Sequence, residues 1–408
     1  MTAHSTGAAE VHKTPEARKR AKYILNLDKV TQLSESERSR LKEVTKRYVF
    51  RANDYYLSLI DWDDPRDPIR QLVIPQEREL EEWGKLDASN ESAVTVQRGV
   101  QHKYGTTVLL LVNEACGAYC RYCFRKRLFM NDNDEVNYKI DGGLDYIRNH
   151  SVVDNVLLTG GDPMIIQTPK LDKIFTALRE IDHVKIIRVG TKIPAFNPYR
   201  FINDPELMDV LRKHSHNDRR IYFMCHFDHP NELTDVALQG LRMIQEAGVI
   251  CVNQNPIIRG ISDDPDVMAE LWNRLSYVGV PQYYIFQGRP TEGNEPYEVP
   301  IAEAYFKIEE AKKKCSGLAK RLKYAMSHES GKVEIVGVDA KHIYLKYHRA
   351  KFASDEQRMI VCYRDDDAYW LDQLRPLPGY RNDYYTLKSK SAAQGLDDRR
   401  HDSLSVYN

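Results

Sequence analysis

Between residues 107 and 287 short apolar runs alternate with amphipathic segments, and few folds accommodate that pattern. The runs are Thr107–Val112, Asn155–Leu158, Val184–Gly190, Arg220–His226, Val249–Asn253 and Gln282–Gln287, rich in β-branched and aromatic residues. The segments between them, such as Thr168–Ile181, Pro205–His214, Asn231–Gly248 and Asp264–Gly279, carry apolar residues at helical spacing. Thr168-Pro169 and Asp264-Pro265 each set a capping residue before a first-turn proline. Near-continuous apolar strands separated by helices predict an α/β fold with a parallel sheet covered by helices. Six such units suit a partial (β/α)6 barrel, and an open doubly wound sheet has the same periodicity. In either, ligands bind beyond the carboxyl ends of the strands. At those ends stand Thr159-Gly160-Gly161-Asp162-Pro163, Gly190-Thr191-Lys192, His226-Phe227-Asp228-His229, Gln254-Asn255 and Gly288-Arg289. One such turn is unremarkable, whereas five on one rim point to a site.

The flanks behave differently. Residues 1–95 read as an N-terminal helical arm: Leu33, Leu41, Val44 and Tyr48 follow helical spacing, and Ser34-x-x-Glu37 resembles a capping box. Its Asp- and Pro-rich stretch at residues 61–68 must be a loop. Residues 96–300 hold the barrel pattern, 301–381 a C-terminal α+β extension, and 382–408 a polar, mobile tail, matched by a polar, disordered start. The 59 basic and 59 acidic residues cancel, so no global field favours nucleic acid or an anionic membrane. No apolar run approaches bilayer length and the N-terminus lacks the apolar core of a signal peptide, which predicts a soluble, cytoplasmic protein. Seven cysteines without a secretion signal argue against a disulfide framework.

Four of those cysteines (Cys225, Cys251, Cys315, Cys362) are scattered and suit structural thiols. The other three fall in Glu114-Ala115-Cys116-Gly117-Ala118-Tyr119-Cys120-Arg121-Tyr122-Cys123-Phe124-Arg125-Lys126-Arg127, directly after the first strand. Thiolates at C-x3-C-x2-C spacing can bind three irons of a 4Fe-4S cluster and leave the fourth without a protein ligand. The amino and carboxylate groups of S-adenosylmethionine (SAM) can chelate that iron, and reduction then yields a 5′-deoxyadenosyl radical. Structural zinc wants four ligands, commonly from paired C-x2-C units, and no second pair exists. Arg121, Arg125, Lys126 and Arg127 suit an anionic cluster.

Taken with Tyr55–Ile60 and the Asp-Pro loop after it, His102-Lys103-Tyr104, the turns above, Arg188–Pro194 and His226–Glu232, these motifs are similar in order and spacing to the lysine 2,3-aminomutase family. The likeness runs from about Tyr55 to Lys332. It implies a radical SAM barrel that also uses pyridoxal 5′-phosphate (PLP), anchored on Lys332 within Ser327-His328-Glu329-Ser330-Gly331-Lys332. By the same matching, Cys116, Cys120 and Cys123 hold the cluster, Gly160, Gly161 and Asp162 meet the SAM amino group, and His226 and Gln254 contact SAM or PLP. Lys103 and Tyr104 would meet the PLP phosphate or ring, and Arg125 the substrate carboxylate. The implied reaction is an isomerisation that moves an amino group from the α to the β carbon of an amino acid. A reductant such as flavodoxin or ferredoxin is implied as partner, and a homo-oligomer stays open.

The chain departs from the family in three places. The glycine run before the PLP lysine shrinks to Ser330-Gly331. The C-terminal zinc cysteines are absent, Cys362 standing alone. Where the lysine enzymes set carboxylates against the substrate ammonium, this chain has Gln287-Gly288-Arg289 and Tyr324-Ala325-Met326-Ser327. Arg289 therefore predicts an acidic substrate such as glutamate. Two rivals stay open: lysine, with Glu329 or Asp228 as the missing acid, and a radical SAM enzyme without PLP.

Overall fold

The computed structural model describes residues 20–130 and 134–380; the expected polar tail lies outside the described residues. A two-residue pair, β1 (Tyr23–Ile24) and β2 (Ala52–Asn53), stands apart from one twelve-stranded sheet. That sheet comprises β3 (Thr95–Gln97), β4 (Val100–Tyr104), β5 (Thr107–Asn113), β6 (Asn155–Gly160), β7 (Ile186–Thr191) and β8 (Ile221–Cys225). It continues through β9 (Ile250–Pro256), β10 (Gln282–Phe286), β11 (Lys323–His328), β12 (Gly331–Val338), β13 (His342–Ala350) and β14 (Met359–Tyr363). Strand order in the sheet follows the chain without a switch, so the sheet is not doubly wound.

All six expected strands form, and each is parallel to the next. A seventh, β11, joins them in parallel after the helix Ile301–Lys313. The strand-rich extension thus continues the same sheet, through the antiparallel ladder β11 to β14, and β3 to β5 form the antiparallel wing at the other end. Right-handed crossovers that advance one strand at a time put the helices between the parallel strands on one face, and the other face curls inward. The wings approach across the interior: Lys103 Nζ on β4 donates to the His328 carbonyl on β11, and the Arg349 guanidinium on β13 lies 5.1 Å from the Tyr104 ring centre.

Side-chain parity sorts the strands. Val156, Leu158, Ile187, Val189, Ile221 and Phe223 are buried in a core with helix residues such as Leu171, Phe175 and Leu207. Their alternates, including Leu157, Arg188, Tyr222 and Gln254, are only partly covered. Helix starts follow the sequence with one shift. Asp264 caps its helix through the Asp266 and Val267 amides, but Thr168 lies inside its helix, after Gln167, and its hydroxyl bonds Asp204 instead. Ser34 caps the helix Glu35–Arg47, while Glu37 reaches Arg70 rather than closing the box. No described helix is long and apolar enough to cross a membrane.

The arm packs on the loop after β5. Leu27, Val30, Tyr56, Ile69 and Leu72 form a second core with Ala118, Tyr122 and Phe196. Arg121, expected to face an anionic cluster, instead forms a buried two-pronged pair with Glu79 at 3.0 and 2.6 Å and reaches the Val49 carbonyl at 3.0 Å. Removing one partner of such a pair strands a buried charge. Glu79→Ala should therefore lower stability by about 3–5 kcal/mol, read from the urea denaturation midpoint. A loss below about 1 kcal/mol would mean that the pair is as weak as a surface one.

Candidate active site

The loop carrying Cys116, Cys120 and Cys123 is zipped to the turn after β6 along their backbones. Gly161 N donates to the Asn113 carbonyl at 2.5 Å and Asp162 N to that of Ala115 at 2.8 Å, while Asn113 Nδ2 bonds the Asp162 carbonyl at 2.9 Å. A side chain has no room at this seam. A Cβ on Gly160, whose φ is +110°, would lie 2.4 Å from the Asn113 oxygen, and one on Gly161 2.3 Å from that of Ala115. The Asp162 carboxylate is consumed by the Met164, Lys192 and Ile193 amides and the Thr191 hydroxyl, at 2.7–3.2 Å. It pins the turn after β7, and burial raises its pKa to about 6.

Burial raises all three thiols, and Cys116 feels Asp162, Cys123 and Cys120 as further negative neighbours. Lys192 acts on Cys120 in the opposite sense, and Lys126, Arg125 and Arg127 on Cys123. Three buried thiols that act on one another, with cations acting on two of them, fit the chemistry of an anionic iron–sulfur cluster. Among the described residues no group of three or more His, Cys, Asp or Glu is drawn close enough to hold a metal ion, so the fit rests on the donor chemistry.

His226 borders this region. Its Nε2 lies 2.8 Å from the Tyr122 hydroxyl and 3.1 Å from Asp228 Oδ1, and its side chain is 30% exposed. Asp228 is buried, which alone would raise it, yet Lys192 at 2.7 Å and His226 hold it well below the usual carboxylate range. Lys192 also pairs with Glu232 at 2.6 Å, which takes the Tyr56 hydroxyl. Asp228 is therefore spent on Lys192, Tyr122 and His226. Gln254 pairs in register with Tyr284 on β10 and is partly exposed.

Lys332 lies on β12, its Nζ 4.1 Å from the Tyr284 ring centre and 5.1 Å from that of Phe286. Burial, followed by the positive charges of Arg188, Arg349, Lys103 and Arg289, lowers its amine to about 7. A desolvated amine among aromatic rings and cations suits a Schiff-base lysine beside an anionic phosphate, so these residues fit PLP. Lys103 is likewise lowered to about 7 by burial and then by Arg289. Tyr104 offers its ring to Arg349 and to Lys103, the latter at 5.6 Å.

Arg125 and Arg289 come together. Arg125 bonds Thr159 Oγ1 at 2.8 Å and pairs with Glu91 at 3.1 Å; Arg289 pairs with the same carboxylate at 3.3 Å and lies 3.6 Å from the Phe124 ring centre. Arg289 does not turn out to Glu292 or Glu295, which pair with Arg47 and Arg78. Glu329 accepts from Asn90 Nδ2 at 2.9 Å. Sequence reasoning missed Glu91, Arg188 and Arg349. Arg188 was visible as a cation within an apolar strand, whereas nothing marked Glu91.

A prediction follows from the acidity of Lys332. Below about pH 7 the amine is protonated and unreactive; above it the amine is free. The rate at which apoprotein forms a borohydride-trappable adduct with PLP should rise with pH to a plateau, with its midpoint near 7. A midpoint close to that of an ordinary lysine would show a solvated side chain.

No protein-family model matches the chain. A "Putative L-lysine 2,3-aminomutase" of Aquifex aeolicus (strain VF5) is 49% identical over 360 residues, 88% of this chain and 96% of that protein. The L-lysine 2,3-aminomutase of Clostridium subterminale is 35% identical over 74% of this chain and 72% of its own. The glutamate 2,3-aminomutase of Clostridioides difficile (strain 630) is 32% identical over 72% and 68%.

Proposed function

The chain belongs to the lysine 2,3-aminomutase family of radical SAM, PLP-dependent isomerases, and we propose that it acts on an acidic amino acid, glutamate foremost. The observation that carries this reading is the inward position of Arg289 beside Arg125. A guanidinium there repels a substrate ammonium at a cost of several kcal/mol and pairs with a second carboxylate. Lysine is the second reading, favoured by the names of two of those relatives and by Glu91, a carboxylate that Arg125 and Arg289 share.

On this reading the curled sheet is a partial (β/α)6 radical SAM barrel. Cys116, Cys120 and Cys123 would hold the cluster, the Gly160-Gly161 backbone would face SAM with Asp162 fixing it from behind, and His226 and Gln254 would line the same space. Lys332 would anchor PLP, with Lys103 and Tyr104 near its phosphate. When bound, the cluster with SAM supplies a hydrogen-abstracting radical, and PLP supplies the unsaturated system through which nitrogen migrates. The chain's own residues do the rest. Lys332, half deprotonated near neutral pH, provides the amine that the substrate amine displaces. Arg125 clamps the α-carboxylate and Arg289 the side-chain carboxylate, which together fix the β-carbon in place. The packed arm keeps water and other hydrogen donors from the radical.

Replacing Cys116, Cys120 or Cys123 by Ala should abolish SAM cleavage and most bound iron, whereas Lys332→Ala should lose the PLP adduct yet still cleave SAM slowly when reduced. A cysteine variant that kept both properties, or a Lys332→Ala protein with a trappable adduct, would move the site elsewhere. For the substrate, wild type should prefer glutamate to lysine, and Arg289→Asp should cut glutamate kcat/KM by about thirtyfold or more without weakening SAM binding. Efficient lysine turnover, undiminished in Arg289→Ala, contradicts the acidic-substrate reading.

A further inference from the structure

Three guanidiniums converge on one carboxylate. Glu91 pairs with Arg127 at 2.7 Å, with Arg125 at 3.1 Å and with Arg289 at 3.3 Å, and its side chain is only 10% exposed. Arg127 has a second partner, Glu135, at 2.7 Å, while Arg125 and Arg289 share the Phe124 ring, at 4.9 and 3.6 Å from its centre. Like charges this close repel strongly where water is scarce, so the guanidiniums keep their places only with an anion among them.

The carboxylate is delivered by a segment that cannot readily withdraw. Asp87 accepts from the Glu91 and Ser92 amides at 2.8 and 3.0 Å, and Asn90 takes a left-handed turn with φ +49°. The same segment is stapled to the β11–β12 turn, through Ser89 Oγ to the Ser327 carbonyl at 3.0 Å and Asn90 to Glu329. Lys332 follows that turn by two residues. One short segment thus sets both the direction of the arginines and their separation from the cofactor lysine.

We propose that Glu91 is a specificity-determining positioning residue: a carboxylate supplied by the protein that aims Arg125 and Arg289 at the two carboxylates of an acidic amino acid, a role that rests on the reading of Arg289 above. The charges agree with it. Arg127 is also answered by Glu135, so Arg125 and Arg289 share the one negative charge of Glu91 and keep a net positive charge for an anionic substrate. Lysine would instead set its side-chain ammonium against the Arg289 guanidinium.

The test uses holoenzyme reconstituted with iron and PLP, assayed with glutamate, lysine and norvaline, which lacks the side-chain carboxylate. A wild type that prefers glutamate to norvaline and lysine supports the Arg289 reading; one that does not overturns it, together with the role given to Glu91. With that preference established, Glu91→Gln should raise KM for glutamate about tenfold or more, change kcat little, and leave the Lys332 adduct and bound iron intact. The rise for norvaline should be smaller, and Glu91→Asp should recover most of the loss. Because Glu91→Gln removes the carboxylate that Arg125, Arg127 and Arg289 share and can fold poorly, Glu91→Gln with Arg127→Gln restores the wild-type charge sum. It should show the same rise in KM, since the placed carboxylate is still missing. An unchanged or lower KM for glutamate in these variants, or an equal rise for glutamate and norvaline, overturns the role of Glu91 and leaves that of Arg289 standing.

Discussion

The seam between the β5 loop and the Gly160-Gly161 turn is the contact on which the site depends. Two backbones touch there because neither glycine carries a Cβ, and the resulting amide-to-carbonyl bonds fix where the three cysteines begin. Asp162 extends the constraint to the next strand end by binding the amides of Lys192 and Ile193. Lys192 then reaches Asp228 and Glu232, beyond β8. Four consecutive strand ends are tied in this way into one rim, each link made by backbone or by a buried charge. Rigid scaffolding of this kind suits radical chemistry, where a misplaced hydrogen donor ends the reaction.

The interior is unusual in its charge. Arg188, Arg349, Lys103 and Arg289 all act on Lys332, Arg289 acts on Lys103, and burial makes the repulsion felt. The two lysines give up proton affinity until they titrate near 7, whereas the arginines stay charged. The arginines instead recruit partners: Glu91 for Arg125 and Arg289, and Asn155 Oδ1 at 2.8 Å for Arg188. Such a cavity is preorganised for anions, and phosphate and carboxylates are the anions that the proposed chemistry brings.

The strands of the parallel sheet were legible because each is an apolar run bounded by turn residues, and the cysteine spacing marked the loop after the first. The curl of the sheet was not legible, since periodicity says nothing of strand order. Only the strand order, taken with right-handed crossovers, puts the connecting helices on a single face. Thr168 was misplaced by one position because its hydroxyl has a stronger use, binding Asp204, than capping its own helix. Glu91 stayed hidden for a different reason. Its neighbours in space lie 34, 36 and 198 positions away, and no local pattern encodes a contact of that range. Arg121 looked like a cluster cation by adjacency alone, yet its side chain points at Glu79 and the arm.

Lys332 sits within the sheet itself, in ladder with Ser327 on one side and Arg349 on the other, after a turn of only two residues, Glu329 and Ser330. Strand residues alternate faces, so an anchor placed this way inherits the parity of the β11–β12 hairpin. Slipping β12 by one residue against β11 would send the amine to the helix-covered side and put Gly331 or Val333 in its place. Position 332 therefore tolerates drift in its surroundings only in steps of two. The lysine is held less by its own contacts than by a counting rule that the hairpin enforces.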